Sequence, residues 1–303
     1  MLRSVLALGV LPLVTPLAAG NWLSNPKVEN GQRQLGLLPF GLEEALLPGE
    51  TKQVHLYEAR FIQLFADAAS KHDSCVGQLL FVPNQGAVAT TTLLEVEEYR
   101  KEEFGVWAQL KCVGRVQLLE IEQTDFEYVL GTVSLVSDED SSSAAVKAEE
   151  LTQLHTSVVE LQRKVGGKKE DEAATDDDDG DARGGRVEWG HELRDAEASF
   201  ATPLSELVET RREVLLSRGP DATPFATLHE PLASVWDVED EATAEATLLS
   251  FAACATLSIS DRARALAMTS VAERCTLALE ALQQQQARLA AMAALQSAGG
   301  GLE

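Results

Sequence analysis

The sequence predicts an α+β fold, with a strand-rich first half and a helical second half. Two observations predict it. Between residues 37 and 136, short apolar or alternating runs are bounded by turn residues, the period of two expected of half-buried strands. From residue 148 onward, apolar residues recur at steps of three and four, the period of a helix with one buried face. A length of 303 residues with 45% hydrophobic content is enough for one large or two modest cores.

Taken in order, Arg3 precedes an apolar run over residues 5–17, and Ala18, Ala19 and Gly20 form a small-residue site. Residues 1–20 therefore read as a cleavable targeting segment. The run is shorter than the ~20 residues of a spanning helix and holds Pro12 and Pro16, which argues against a permanent membrane anchor. Residues 21–34 carry Trp22, Lys27 and Arg33 against the single acid Glu29, a flexible or transit-like stretch. The expected location is an organelle or the secretory route, with the plastid as candidate and the cytoplasm as alternative.

Tyr57, Phe61, Leu64, Phe65 and Ala68 share one face of a helix expected over residues 57–70. A strand over 76–82, a turn at Pro83, Asn84, Gln85 and Gly86, and a strand over 87–96 follow as a hairpin. Val106, Ala108, Leu110 and Cys112 alternate with Trp107, Gln109 and Lys111, so one side of that strand is buried and the other wet. Gly114 is expected to end it, with further strands over 116–121 and 128–136. Short strands at this spacing suggest a small barrel or a folded-over sheet.

Ala148, Leu151, Leu154, Val158, Leu161 and Val165 form a helix stripe, with Gly166 and Gly167 as the expected stop. The acidic stretch that follows, including Asp176 to Asp179, is too polar to bury and is expected to be a linker. Trp189, Leu193, Ala196 and Phe200, then Leu204, Leu207, Val214 and Leu215, continue the helical pattern past Pro203. Ser270 and Glu273 form a capping box before the stripe Val271, Cys275, Leu279 and Leu282, which starts a long terminal helix. Self-association through that helix is one reading of its weak last turns.

Composition narrows the function. The formal net charge is −23, from 25 basic and 48 acidic residues, and repels phosphate backbones, so no nucleic-acid partner is expected. Cys75, Cys112, Cys254 and Cys275 are far apart and form no C-x-x-C pair, which argues for core cysteines over a zinc or redox site. His191-Glu192 and His229-Glu230 lack the second histidine of H-E-x-x-H. A calcium loop with Asp177, Asp179 and Gly180 would place Thr175 at its first ligand position and Arg186 at the bidentate position, where a cation defeats it. There is no G-x-x-x-x-G-K-[ST] loop, nucleophile elbow or dinucleotide fingerprint, so no cofactor is expected.

Leu37-Leu38-Pro39-Phe40, Leu46-Leu47-Pro48-Gly49-Glu50 and His55-Leu56-Tyr57-Glu58-Ala59-Arg60-Phe61, in this order, resemble the opening of the N-terminal domain family of Lon proteases. Cys112-Val113-Gly114-Arg115-Val116 with Leu118-Leu119-Glu120-Ile121 is similar to that family's G-x-x-R-[FV] strand pair, and Tyr128 to the aromatic of the next strand. Leu257-Ser258-Ile259-Ser260 and Val271-Ala272-Glu273-Arg274 are similar to its helical part. The acidic insertion around Asp176 departs from the pattern.

The resemblance implies a PUA-like β-barrel over 35–140 and a helical bundle subdomain over 187–296. Between them come a helix over 141–165 and a linker over 166–186, with a flexible tail at 297–303. It implies a substrate-recognition module without ATPase or peptidase domains, capturing client polypeptides or acting as an adaptor for proteolysis, with client polypeptides and a separate protease as the candidate partners. The alternatives are an oligomerising scaffold and an enzyme with an unrecognised site. Candidate protein-binding or motif residues are Phe40, Pro48, Gly49, Tyr57, Glu58, Arg60, Phe61, Trp107 and Arg115. Pro48 and Gly49 are expected to force a tight turn that lets the flanking strands pair, and Glu58 and Arg60 to bridge the helix start to the barrel.

Overall fold

A computed structural model describes residues 32–123, 128–139, 143–173, 203–218 and 241–299. The fold is mixed α+β, and the chain divides into two compact units. One holds Thr51–Leu135 with the strand and turn before it; the other holds Leu47–Glu50 and the chain from Val136 onward.

The first unit contains β1 (Gln32–Gly41), a 3-10 turn (Leu42–Glu44), β2 (Thr51–Leu56), α1 (Ala59–Lys71), β3 (Cys75–Val82), β4 (Gly86–Ala87), β5 (Thr90–Lys101), β6 (Val106–Gln123) and β7 (Val129–Leu135). β1 pairs antiparallel with β7, β7 with β6, β6 with β5 and β5 with β3. β3 returns to β1 in parallel register, Leu38 opposite Gln78 and Phe40 opposite Leu80, so the order of these five strands closes on itself. β2 lies off this circuit on β6, and β4 extends β3.

Closure explains why β3 is buried on both faces from Cys75 to Leu80 instead of alternating. Leu38, Leu64, Phe65, Val76, Leu94, Leu110 and Tyr128 are in its core cluster. α1 buries Phe61, Leu64, Phe65 and Ala68, the expected stripe minus one member. Glu58, in extended conformation, is the N-cap, so Tyr57 precedes the helix and is 66% exposed.

Other expectations change with the backbone. β6 does not end at Gly114. Leu93 faces Gly114 while Leu94 faces Cys112, so Val113 is an extra residue and the strand absorbs the glycine as a bulge. Leu119 is extra in the same way against β7 and is pushed out to 48% exposure.

Gly49 does form the tight turn, at φ +95°, with Glu50 N–H donating to the Leu47 carbonyl at 3.0 Å. Its flanking strands do not pair with each other, however: β1 lies between β7 and β3, and β2 on β6. The turn redirects the chain.

The second unit contains α2 (Ala144–Ala173), α3 (Pro203–Arg218), α4 (Glu241–Cys254), α5 (Ile259–Ala267) and α6 (Val271–Gly299). α2 runs through Gly166 and Gly167. Two glycines cost about 2 kcal/mol in a helix interior, and the helix continues past them through Lys168–Ala173, where all but Asp171 are good helix formers. Pro203 opens α3, where its missing N–H costs nothing. The stripe at Trp189 and Phe200, the acidic run and the histidines at 191 and 229 lie outside the described residues.

Leu151, Val158, Leu248, Phe251, Leu266, Val271, Cys275 and Leu279 are buried in this unit. Ser258 and Ser270 cap α5 and α6, their hydroxyls accepting from Asp261 N–H and Glu273 N–H, each at 3.3 Å. Arg262 on α5 makes paired hydrogen bonds to Glu50, Nη2 to Oε2 at 2.8 Å and Nη1 to Oε1 at 3.1 Å. Glu50 thus ties the Pro48–Gly49 turn to this unit.

Candidate functional site

One surface feature of the first unit follows from the parallel β1–β3 pair. At the last pair of the two strands Gly41 stands opposite Phe81, and the 3-10 turn and the hairpin at Pro83 follow. The space between them is a groove of about 610 Å³ lined by Pro39, Phe40, Glu43, Glu44, Phe81 and Pro83 among others. Phe81 is 43% exposed on it. Phe81 comes one residue after the doubly buried stretch of β3, so the strand that fills the core also delivers an aromatic ring to the surface.

The rim is fixed from below. Gln78 is fully buried on β3; its Oε1 accepts from Leu46 N–H at 3.0 Å and from Thr92 Oγ1 at 2.8 Å, and its Nε2 donates to the Glu44 carbonyl at 3.1 Å. One amide side chain therefore anchors the turn that carries Glu43 and Glu44. Lys52 binds Glu44 at 2.7 Å and sits 5.4 Å from the centre of the Phe40 ring. Glu43 is exposed and has no ion-pair partner among the described residues.

The expected residues fall into separate places. Phe40 lines the groove. Tyr57 and Trp107 lie at one end of the β2–β6 pair, where His55 faces Trp107. There the Tyr57 hydroxyl is 3.0 Å from His55 Nδ1, His55 Nε2 is 2.9 Å from Glu102, and Arg100 lies 4.2 Å over the Trp107 ring. Phe104, two residues before the start of β6, is 73% exposed.

Phe61 is core, and Arg115 is 2% exposed within β6. Glu58 and Arg60 do not bridge the helix to the sheet: Arg60 Nε lies 2.7 Å from Glu58, and its guanidinium stacks 4.7 Å from the Phe61 ring. Both side chains are only partly buried, and they pair with each other beside the helix start instead of reaching the sheet. Pro48 and Gly49 form the turn described above, with Pro48 buried.

Phe81, Gln78 and Glu43 were not singled out from the sequence. Gln78, the lone polar residue inside the apolar run of β3, carried a readable signal; Phe81 and Glu43 carried none.

Burial pushes the Cys254 thiol up to about 12 and that of Cys275 up to about 11, and raises Cys75 as well, so these sulfurs stay protonated. All four cysteines are buried, and none forms a disulfide. His155 Nε2 lies 3.2 Å from Ser205 Oγ, burial lowers its pKa, and its Nδ1 has no hydrogen-bond partner among the described residues. Among the described residues no cluster of histidine, cysteine or carboxylate groups suits a metal ion, and no helix is long and apolar enough to cross a membrane.

No family model matches the sequence, and no curated protein matches it. Among solved structures the chain is similar to the N-terminal domain of the Mycobacterium avium complex Lon protease. The identity is 12% and the TM-score 0.47, over 83% of this chain and 98% of that one. It is also similar to a Lon N-terminal domain protein from Xanthomonas campestris, at 23% identity and a TM-score of 0.32, over 40% of this chain and 72% of that one.

Proposed function

We propose that this protein is a non-catalytic binding module of the Lon N-terminal type, whose first unit is a PUA-like β-barrel that holds exposed apolar segments of client polypeptides. The observation that carries the reading is the groove beside Phe40 and Phe81. A solvent-facing phenylalanine next to prolines, on a rim held by a buried glutamine, offers apolar area that water covers at a cost until a partner does. The closed pairing of β1, β7, β6, β5 and β3 supports the barrel. The L-P-F, L-P-G-E and Y-E-A-R-F segments support the family.

In this reading captured clients pass to a separate protease, in an organelle or secretory compartment reached after loss of the N-terminal segment. The direct test is co-elution of the full chain with a permanently unfolded client, such as reduced and carboxymethylated lactalbumin, on a sizing column. Retention of the unfolded form but not of native lactalbumin, weakened by Phe81→Ser, is the expected result. Equal behaviour of the two forms would overturn the proposal.

A further inference from the structure

We infer that the groove selects apolar segments flanked by lysine or arginine; this rests on the client-binding reading above. Two carboxylates stand on the rim of a lining that is otherwise apolar except for Asn84. Glu44 is already neutralised by Lys52, which is itself held against Phe40, so that cation belongs to the wall. Glu43, one residue away and exposed, has no cation of its own among the described residues. An apolar side chain seated against Phe81 thus places its neighbours beside one uncompensated carboxylate.

The whole chain adds to this preference. A formal charge of −23 concentrates cationic segments near the surface and repels acidic ones before contact. A basic neighbour gains an ion pair with Glu43, a neutral one gains nothing, and an acidic one meets like charge. Discrimination of this kind comes from rim charges and fades with salt, whereas the apolar contact persists.

The test is fluorescence anisotropy of the full chain with three labelled peptides that share a leucine–phenylalanine core flanked by lysines, serines or glutamates. The lysine peptide is expected to bind about threefold to tenfold more tightly than the serine peptide at low salt, the size of one exposed ion pair plus steering. That advantage is expected to vanish in high salt and to shrink markedly in Glu43→Lys, where only the steering by the remaining negative charge favours lysine. Phe81→Ser is expected to weaken all three. Equal binding of the three peptides, or a lysine preference unchanged in Glu43→Lys, overturns this inference and leaves client binding intact. Binding of none of them overturns both.

Discussion

The phenolic hydroxyl of Tyr128 donates to Asp67 Oδ2 at 2.5 Å, joining the start of β7 to α1 inside the core of the first unit. Asp67 is 4% exposed and also receives Gln63 Nε2 and the Lys71 ammonium, each at 3.0 Å. Burial alone would raise its pKa; the hydrogen bonds from Tyr128, Lys71 and Gln63 and the charge of Lys71 outweigh that and hold it below the usual value.

Tyr128→Phe leaves a buried carboxylate short of one donor and is expected to cost about 1–3 kcal/mol in urea unfolding at neutral pH. Because the folded pKa of Asp67 lies below the unfolded one, its stabilisation is complete above about pH 4 and is lost as pH falls through the folded value. Wild type should lose more stability than Tyr128→Phe between neutral pH and pH about 3. Equal losses would show that the carboxylate is not held by the phenol.

Gln78→Leu removes the groups that satisfy the Leu46 N–H and the Glu44 carbonyl. A loss of about 1–3 kcal/mol is expected, with client affinity falling as the rim loosens. Gln78→Glu, which keeps the acceptor but not the amide donor, should fall between. An unchanged unfolding midpoint in Gln78→Leu would contradict this role.

Two glycines of similar φ should respond differently to alanine. Gly49, at +95°, has open space where a Cβ would go, so Gly49→Ala is expected to cost only the left-handed backbone penalty of about 1–2 kcal/mol. At Gly105, at +100°, a Cβ would collide with the Leu56 carbonyl oxygen and crowd the Tyr57 backbone. Gly105→Ala should therefore be the more damaging, by thermal unfolding, and the reverse order would refute the geometry of that hairpin.

In the second unit Arg274 is fully buried, with Nη1 donating to Asp138 at 2.6 Å and to the Met268 carbonyl at 2.7 Å, and its guanidinium 4.0 Å over the Phe251 ring. Arg274→Met removes a buried cation hydrogen-bonded to Asp138 and is expected to cost about 3–5 kcal/mol, most of it recovered in Arg274→Met with Asp138→Leu. A loss under about 1 kcal/mol in the single variant would mean that the pair is solvated.

The α+β class, the α1 stripe from Phe61 to Ala68, the turn at Pro83 and the Ser270 cap were legible because each is a local pattern of period or capping chemistry. What was hidden is non-local. Gly114 breaks a strand pattern unless a bulge absorbs it, and the bulge exists only because β5 lies alongside. Gly166 and Gly167 read as a stop, although the residues after them sustain the helix. Tyr57 matched a helical stripe that Glu58 cuts off. Phe40 could be named as an aromatic of the motif, but its groove partner Phe81 is forty-one positions away in sequence, and only the closing β1–β3 pair brings their strands together.

The central claim is that the face beside Phe81 receives apolar client segments. Photo-crosslinking tests it most directly, with p-benzoylphenylalanine in place of Phe81 and, as a control, in place of Val146, which is equally hydrophobic and 69% exposed on α2. Adducts with an unfolded client from position 81 and few from position 146 are the predicted result. Equal yields from both positions, or none from position 81, would contradict it.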